Sequence, residues 1–219
     1  KRTGTKEGCA EGDCGACTVL VGELDGDDAI AWRALNACIL FVPMLDGKAL
    51  MTVESLGTSA ALHPVQQAMA DLHGSQCGFC TPGFVMSLYA RAIHASGTDG
   101  VAVKDVVAGN LCRCTGYGPI LAAGESVPRA PRDDHATVAA LRALRRDAMA
   151  EGTYADPLHG APRRWFKPRD TDELAALLVE HPDARLVAGA TDVGLWVTKQ
   201  HRVLEELIFL GDVADMKQL

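Results

Sequence analysis

The 219 residues carry a formal net charge of −7, with 48% hydrophobic side chains, 5% aromatic side chains and eight cysteines. These values exclude a disordered or collagen-like chain, and the acidic balance argues against nucleic acid as a partner. The longest apolar run, residues 37–45, falls well short of the roughly 20 residues of a membrane helix. With no secretory leader ahead of the cysteines, we expect a cytoplasmic protein without membrane association.

The first element is a glycine-rich cysteine loop, in which Cys9, Cys14 and Cys17 have the spacing C-x4-C-x2-C and Cys38 follows at a distance. This is the spacing of plant-type [2Fe–2S] ligation, whereas zinc sites usually show two C-x2-C-like knuckles. Three thiolates that turn onto one small cluster require positive φ angles and close backbone approach. The glycines that would permit this are Gly8, Gly12 and Gly15. The spacing favours iron–sulfur over zinc.

Short strands and then helices are predicted after this loop. Apolar runs at 18–21 and 29–32 flank turn residues and predict a β-hairpin, and 49–53 predicts a third strand. Pro64 can begin a helix that ends near Gly74, and Thr81-Pro82 can begin a helix that runs to about His94. A small β domain would therefore carry the first cysteines, and a helical domain would follow it.

The second group of cysteines comprises Cys77 and Cys80, spaced C-x2-C, and later Cys112 and Cys114, spaced C-x-C. Disulfides are disfavoured, because they are typical of secreted chains and because Cys112 and Cys114 cannot easily meet each other's bond geometry. Four thiolates in this pattern suit zinc almost as well as iron. Spacing alone leaves the metal of this group open.

The last part of the chain contains a connecting segment and then a strand that runs into a glycine turn. Proline-rich residues 126–164 predict a connection, with an arginine-rich helix at about 139–150. Thr171 is predicted to cap a helix that runs to Glu180. The strand 185–188 then leads to a helix predicted from Asp192 to Gln200, an arrangement that can present backbone N–H groups to a pyrophosphate. The turn matches neither G-x-G-x-x-G nor the P-loop, so an ordinary strand-turn-helix remains an alternative.

Three motifs in order point to a family. The segments 8–18, 76–83 and 110–117 resemble the iron–sulfur part of the molybdenum hydroxylases. Followed by Leu-Val-Ala-Gly-Ala-Thr-Asp at 186–192, they resemble the small, [2Fe–2S]- and FAD-binding subunit of the xanthine dehydrogenases within that family. The resemblance implies iron–sulfur, and not zinc, for the second cysteine group as well.

The fold implied by the resemblance is α+β and multidomain. It would comprise a β-grasp, plant-type ferredoxin-like domain at 1–56, a four-helix-bundle [2Fe–2S] domain at 57–126, a linker at 127–164 and the start of an α+β FAD-binding domain at 165–219. Compared with the family, the first two β-grasp strands and most of the FAD fold are missing. We therefore expect the chain to be part of a longer subunit.

The resemblance also assigns site residues. The first cluster would be held by Cys9, Cys14, Cys17 and Cys38, and the second by Cys77, Cys80, Cys112 and Cys114. FAD would be held by Arg185, Leu186, Val187, Ala188, Gly189, Ala190, Thr191, Asp192 and Val193. Gln76 would bond to the pterin of the molybdenum cofactor on a partner subunit.

The function implied by the resemblance is electron transfer. Hydroxylation of hypoxanthine and xanthine to urate would take place at molybdenum-molybdopterin on a large partner subunit, in a dimer of heterodimers. Electrons would pass through the second cluster and then the first to FAD, and from FAD to NAD⁺. No Ser/His/Asp arrangement is found, and we expect no catalytic residue on this chain. The alternatives are the corresponding subunit of an aldehyde or nitrogen-heterocycle oxidase, or a zinc-stabilised interaction module.

Overall fold

The computed structural model describes residues 2–26, 28–155, 157, 160 and 162–217. These residues form two compact units of an α+β protein. The first unit comprises Lys1–Leu40 and Gly47–Leu144, and the second comprises Phe41–Asp46 and Arg145–Leu219. Residues 1–56 and 57–126, which the sequence assigns to two domains, thus lie in the first unit apart from the short segment 41–46.

The sheet of the first unit is built on the predicted hairpin. Strand β1, Thr18–Asp25, pairs antiparallel with β2, Ala29–Asn36, and with β3, Ala49–Met51, giving the order β2-β1-β3 in the described residues. The hairpin is confirmed, but both of its strands are four residues longer than predicted, since the pairing runs without a break from Thr18–Asn36 to Asp25–Ala29. As the central strand, β1 is buried from Thr18 to Gly22.

Most of the apolar core of the first unit lies on helices. The two predicted helices are confirmed as α1, Pro64–Asp71, and α2, Thr81–Ala92, each with proline at its N-terminus. Helix α2 also packs against β1 and is buried over most of its length, with Phe84 fully enclosed. The described residues add a single turn, α3, Val103–Val106, and a longer helix, α4, Gly118–Ser126. These four helices are the elements of the predicted bundle.

The segment predicted as a linker contains regular structure. Helix α5, His135–Ala143, belongs to the first unit and begins earlier than the predicted 139–150. Its start is set by polar contacts: the Asp133 carboxylate accepts from the His135 N–H at 3.1 Å, and the Trp32 indole donates to Asp134 at 2.8 Å. Val138 and Leu141 bury its apolar face. Strand β4, Ala150–Ala155, then begins where the predicted helix would have ended.

The second unit contains a mixed sheet. After β4 come β5, Pro162–Lys167, helix α6, Thr171–Glu180, β6, Arg185–Val187, helix α7, Val193–Thr198, and β7, Glu206–Phe209. Among the described residues the strand order is β4-β5-β7-β6, and only the β4–β5 pair is antiparallel. Phe166, Leu174 and Ile208 form part of its core.

The cap of helix α6 and the length of helix α7 differ from the predictions. Helix α6 is capped by Asp170, whose carboxylate accepts from the Glu173 N–H at 2.8 Å, and not by Thr171. Thr171 instead bonds to the Asp215 carboxylate. Helix α7 is shorter than the predicted 192–200. None of the helices in the described part of the chain has the length and apolar character needed to cross a bilayer.

Replacing Phe84 by alanine should lower the free energy of unfolding of the first unit by about 3–5 kcal/mol, because it removes a fully buried ring and leaves a cavity beside Tyr117. Chemical denaturation followed by circular dichroism measures the change. Leu144→Ala is the control in the same unit, since Leu144 is 57% exposed and its truncation should cost about 0.5 kcal/mol. Equal losses of unfolding free energy in the two variants would contradict the assignment of Phe84 to the core of the first unit.

Candidate metal centres and nucleotide loop

The thiols of the first cysteine group act on one another's pKa. Cys14 is among the groups that lower the pKa of Cys9, and after burial, Cys17 and then Cys9 raise the pKa of Cys38. These interactions link the four predicted ligands.

Backbone geometry explains how this loop turns. Gly12 and Gly15 have φ angles of +78° and +67°, as predicted for glycines that turn thiols inward. Gly8 differs from this prediction because its φ is not positive. Its lack of a side chain instead leaves room for Cys14 and Phe79. A Cβ on Gly8 would lie 3.0 Å from the Cys14 sulfur and 3.2 Å from the Phe79 ring.

Burial and hydrogen bonds shift the pKa values of the thiols in this group in opposite directions. Burial raises the pKa of Cys9, but the Cys14 N–H and other loop N–H groups outweigh it and lower the pKa to about 7. The N–H groups of Asp13 and Cys14 lie 3.4 and 3.3 Å from the Cys9 sulfur. At Cys38, burial and then the neighbouring Cys17 raise the pKa to about 12. The loop thus stabilises a thiolate at Cys9 and disfavours one at Cys38.

The thiols of the second group also act on one another's pKa. The Phe79 backbone and then the Cys114 thiol lower the pKa of Cys77. Cys77 and Cys114 are exposed, Cys80 is half-buried and Cys112 is buried. Burial, followed by the contact with Cys112, raises the pKa of Cys80 to about 12. The group therefore has an exposed pair and a more buried pair.

The thiols alone do not decide between zinc and iron. A zinc site places four ligands tetrahedrally around one ion, whereas a [2Fe–2S] cluster spreads four thiolates over two irons. Each group offers four cysteines, which is the ligand number of either site.

The two cysteine loops are in direct contact within the first unit. The Leu111 N–H donates to the Cys14 carbonyl at 2.9 Å. This hydrogen bond joins a cysteine of the first group to the residue that precedes Cys112 of the second group. The approach is so close that a Cβ on Gly15 would lie 2.2 Å from the Gly109 carbonyl oxygen. On α2, a Cβ on Gly83 would lie 2.1 Å from the Gly15 carbonyl oxygen. The importance of Gly83 was not visible in the sequence, because the residues that it meets are distant along the chain.

The predicted nucleotide loop lies in the second unit and has an open side. Strand β6 ends at the buried Val187, Ala190 is buried with a φ of +61°, and Val193 begins α7. A helix of six residues provides little dipole, so an anion here would depend on the loop itself. Among the described residues, no atom lies within 4 Å of a Cβ placed on Gly189. The exposed members of the predicted set are Arg185, Leu186, Ala188, Gly189, Thr191 and Asp192.

Gln76, the predicted pterin contact, is exposed and immediately precedes the exposed Cys77. It therefore lies at the surface beside the more accessible thiol pair of the second group, where a partner could reach it.

Comparison with known proteins finds two family matches and several relatives. Residues 52–125 match the family described as "[2Fe-2S] binding domain", and residues 159–219 match "FAD binding domain in molybdopterin dehydrogenase". Xanthine dehydrogenase of Drosophila subobscura is 36% identical over 255 residues, which cover 99% of this chain and 19% of that protein. Xanthine dehydrogenase/oxidase of Mus musculus is 34% identical over 228 residues, covering 88% of this chain and 17% of that protein.

A solved structure, quinoline 2-oxidoreductase from Pseudomonas putida 86, is similar over 64% of this chain and 76% of its own, with 35% identity and a TM-score of 0.45. The chain spans about a fifth of the length of the two relatives described above.

Gly15→Ala should cost about 2–5 kcal/mol of unfolding free energy and most of the bound iron, because the new methyl group meets the Gly109 carbonyl and the left-handed φ is strained. Denaturation and iron analysis measure the two losses. Gly26→Ala is the matched control: its φ is +63°, but no described atom lies within 4 Å of the added Cβ. Gly26→Ala should lose only about 1–2 kcal/mol of unfolding free energy, from backbone strain, and should keep its bound iron. Similar behaviour of the two variants would contradict the close contact of the loops.

Proposed function

The chain belongs to the xanthine dehydrogenase family of molybdenum hydroxylases, and on that premise we propose that it carries electrons from a molybdenum site on a partner domain or subunit to FAD. One observation carries the proposal above all. Two groups of four cysteines lie in one compact unit, and their loops are joined by a direct hydrogen bond.

The cysteines are proposed to hold two [2Fe–2S] clusters, each of which accepts and releases one electron at a time when bound. Cys9, Cys14, Cys17 and Cys38 would hold the first, and Cys77, Cys80, Cys112 and Cys114 the second. The loop N–H groups near Cys9 stabilise its thiolate form, which is the form that ligates iron. All eight cysteines are free, so each is available as a ligand. A cytoplasmic location is part of the proposal.

The loop from Arg185 to Val193 is proposed to contact FAD through its main chain. The family match over 159–219 and the open side of Gly189 support this assignment. A missing side chain at Gly189 lets a ligand approach the backbone closely. Gln76 is proposed to bond to the pterin of a molybdenum cofactor on the partner, supported by its exposed position beside Cys77.

For the whole enzyme we propose purine hydroxylation, with hypoxanthine and xanthine converted to urate on a large molybdenum-binding subunit and NAD⁺ as the final acceptor, in a dimer of heterodimers. The names of the relatives support the purine substrates. The second candidate is a hydroxylase of another nitrogen heterocycle or of an aldehyde. Steady-state assays of the holoenzyme with xanthine, quinoline and an aldehyde, each with and without NAD⁺, separate these candidates.

The dithionite-reduced holoenzyme should show two distinct [2Fe–2S] signals by electron paramagnetic resonance, with about four irons on this chain. Cys38→Ser should remove or alter one signal, and Cys112→Ser the other, because the two residues belong to different groups. A colourless protein that contains zinc would refute the electron-transfer function and favour the interaction module.

Gly189→Val should lower the FAD content of the holoenzyme without lowering its stability, because the new side chain enters space that no described protein atom occupies. Flavin fluorescence after denaturation measures the bound FAD. Gly211→Val is the control, since Gly211 is in the same unit, is exposed and is equally free of described neighbours at its Cβ. Full FAD occupancy in Gly189→Val would show that Gly189 does not contact FAD.

A further inference from the structure

Asn110 is a buried polar side chain between the two cysteine loops. It is only 3% exposed and lies two residues before Cys112. Its amide nitrogen donates to the Gly15 carbonyl at 2.9 Å and to the Thr18 hydroxyl at 3.1 Å, both on the side of the first cysteine group. Its amide oxygen accepts from the Ser87 hydroxyl on α2 at 2.7 Å. One side chain therefore joins the first loop, the start of β1 and the helix that follows the second C-x2-C segment.

The orientation of this amide is determined by its partners. The Gly15 carbonyl can only accept, so the amide nitrogen, and not the oxygen, must face it. The same carbonyl also accepts from the Thr18 N–H at 3.1 Å and from the Thr18 hydroxyl at 2.6 Å. Because a buried polar group that loses its partners is costly, this network favours one arrangement of the two loops.

Neither aspartate nor alanine reproduces these bonds. Aspartate has the same shape as asparagine but cannot donate when ionised, and it would bring a charge against the Gly15 carbonyl. Alanine would leave both the Gly15 and the Ser87 groups with one partner fewer and would leave a void. The amide is thus specific for joining the two loops, while Gly15 and Gly83 supply the space in which they meet.

We propose that Asn110 is a positioning residue that fixes the separation of the two iron–sulfur sites and thereby the rate of electron transfer between them. The inference rests on the proposed function, because it requires that both thiol groups hold clusters. Asn110 itself ligates no metal and acts through the loops that carry Cys14, Cys17 and Cys112.

The experiment compares Asn110→Ala, Asn110→Asp and Ser87→Ala in the holoenzyme, with Thr98→Val as the matched control. Thr98 is a buried hydroxyl of the same unit that bonds only locally, to the Ala95 carbonyl at 2.7 Å. Two readouts report separation: the magnetic dipolar splitting between the two reduced clusters, and the rate of electron exchange between them after rapid partial reduction. Iron content and thermal stability are measured on every sample.

We expect both Asn110 variants to change the dipolar splitting and to slow electron exchange several-fold, because both quantities depend steeply on the separation of the clusters. Ser87→Ala keeps both bonds donated by Asn110, so it should show a smaller change in the same direction. Thr98→Val should lose stability but keep the splitting and the exchange rate of the wild type.

Variants of Asn110 that retain iron but have wild-type splitting and exchange would overturn the inference. If they fail to retain their clusters, Ser87→Ala decides, and an unchanged splitting in that variant overturns the inference in the same way. A wild-type holoenzyme without two [2Fe–2S] signals would instead overturn the proposed function, so the two failures are distinguishable.

Discussion

The arrangement of the first unit depends on the contact between the loop that contains Cys14 and the loop that leads to Cys112. Their backbones approach so closely that a side chain at Gly15 or Gly83 would overlap the opposite chain. The hydrogen bond from Leu111 to Cys14 then sets the register of one loop against the other. Since each loop also carries thiols, this contact between the β and helical parts also places the two ligand groups. It acts together with the packing of α2 on β1, and the two parts form one compact unit.

Electrostatics explains why such thiol groups suit a cationic core. Four thiolates gathered at one place repel one another, and burial adds to the cost of each charge. The raised pKa values of Cys38 and Cys80, both about 12, reflect burial and the presence of a neighbouring thiol. A positively charged metal core compensates these charges and releases the protons on binding. Hydrogen bonds from the backbone, as at Cys9, supply only part of this compensation.

Local signals in the sequence predicted local features well. Proline near the first helical position located the starts of α1 and α2. The start of α5 was misplaced because part of what holds it, the bond from Trp32 to Asp134, joins residues far apart in the chain. Asn110 is the first residue of the motif 110–117, and its role as a positioning residue was not predicted for the same reason. Its function depends on Gly15 and Ser87, which only the folded chain brings to it.

The second thiol group has two different sides, and this asymmetry matters for the proposed direction of electron flow. The exposed pair, Cys77 and Cys114, lies beside the exposed Gln76, where a partner can approach. The buried Cys112 follows Leu111, which bonds to the carbonyl of Cys14 in the first group. A carrier held by these four residues would thus face a partner with one pair and the first group with the other. Among these four cysteines the two exposed ones thus lie on the side of Gln76, while the buried Cys112 lies two residues from Asn110, which is 3% exposed and hydrogen-bonded to Gly15 of the first loop.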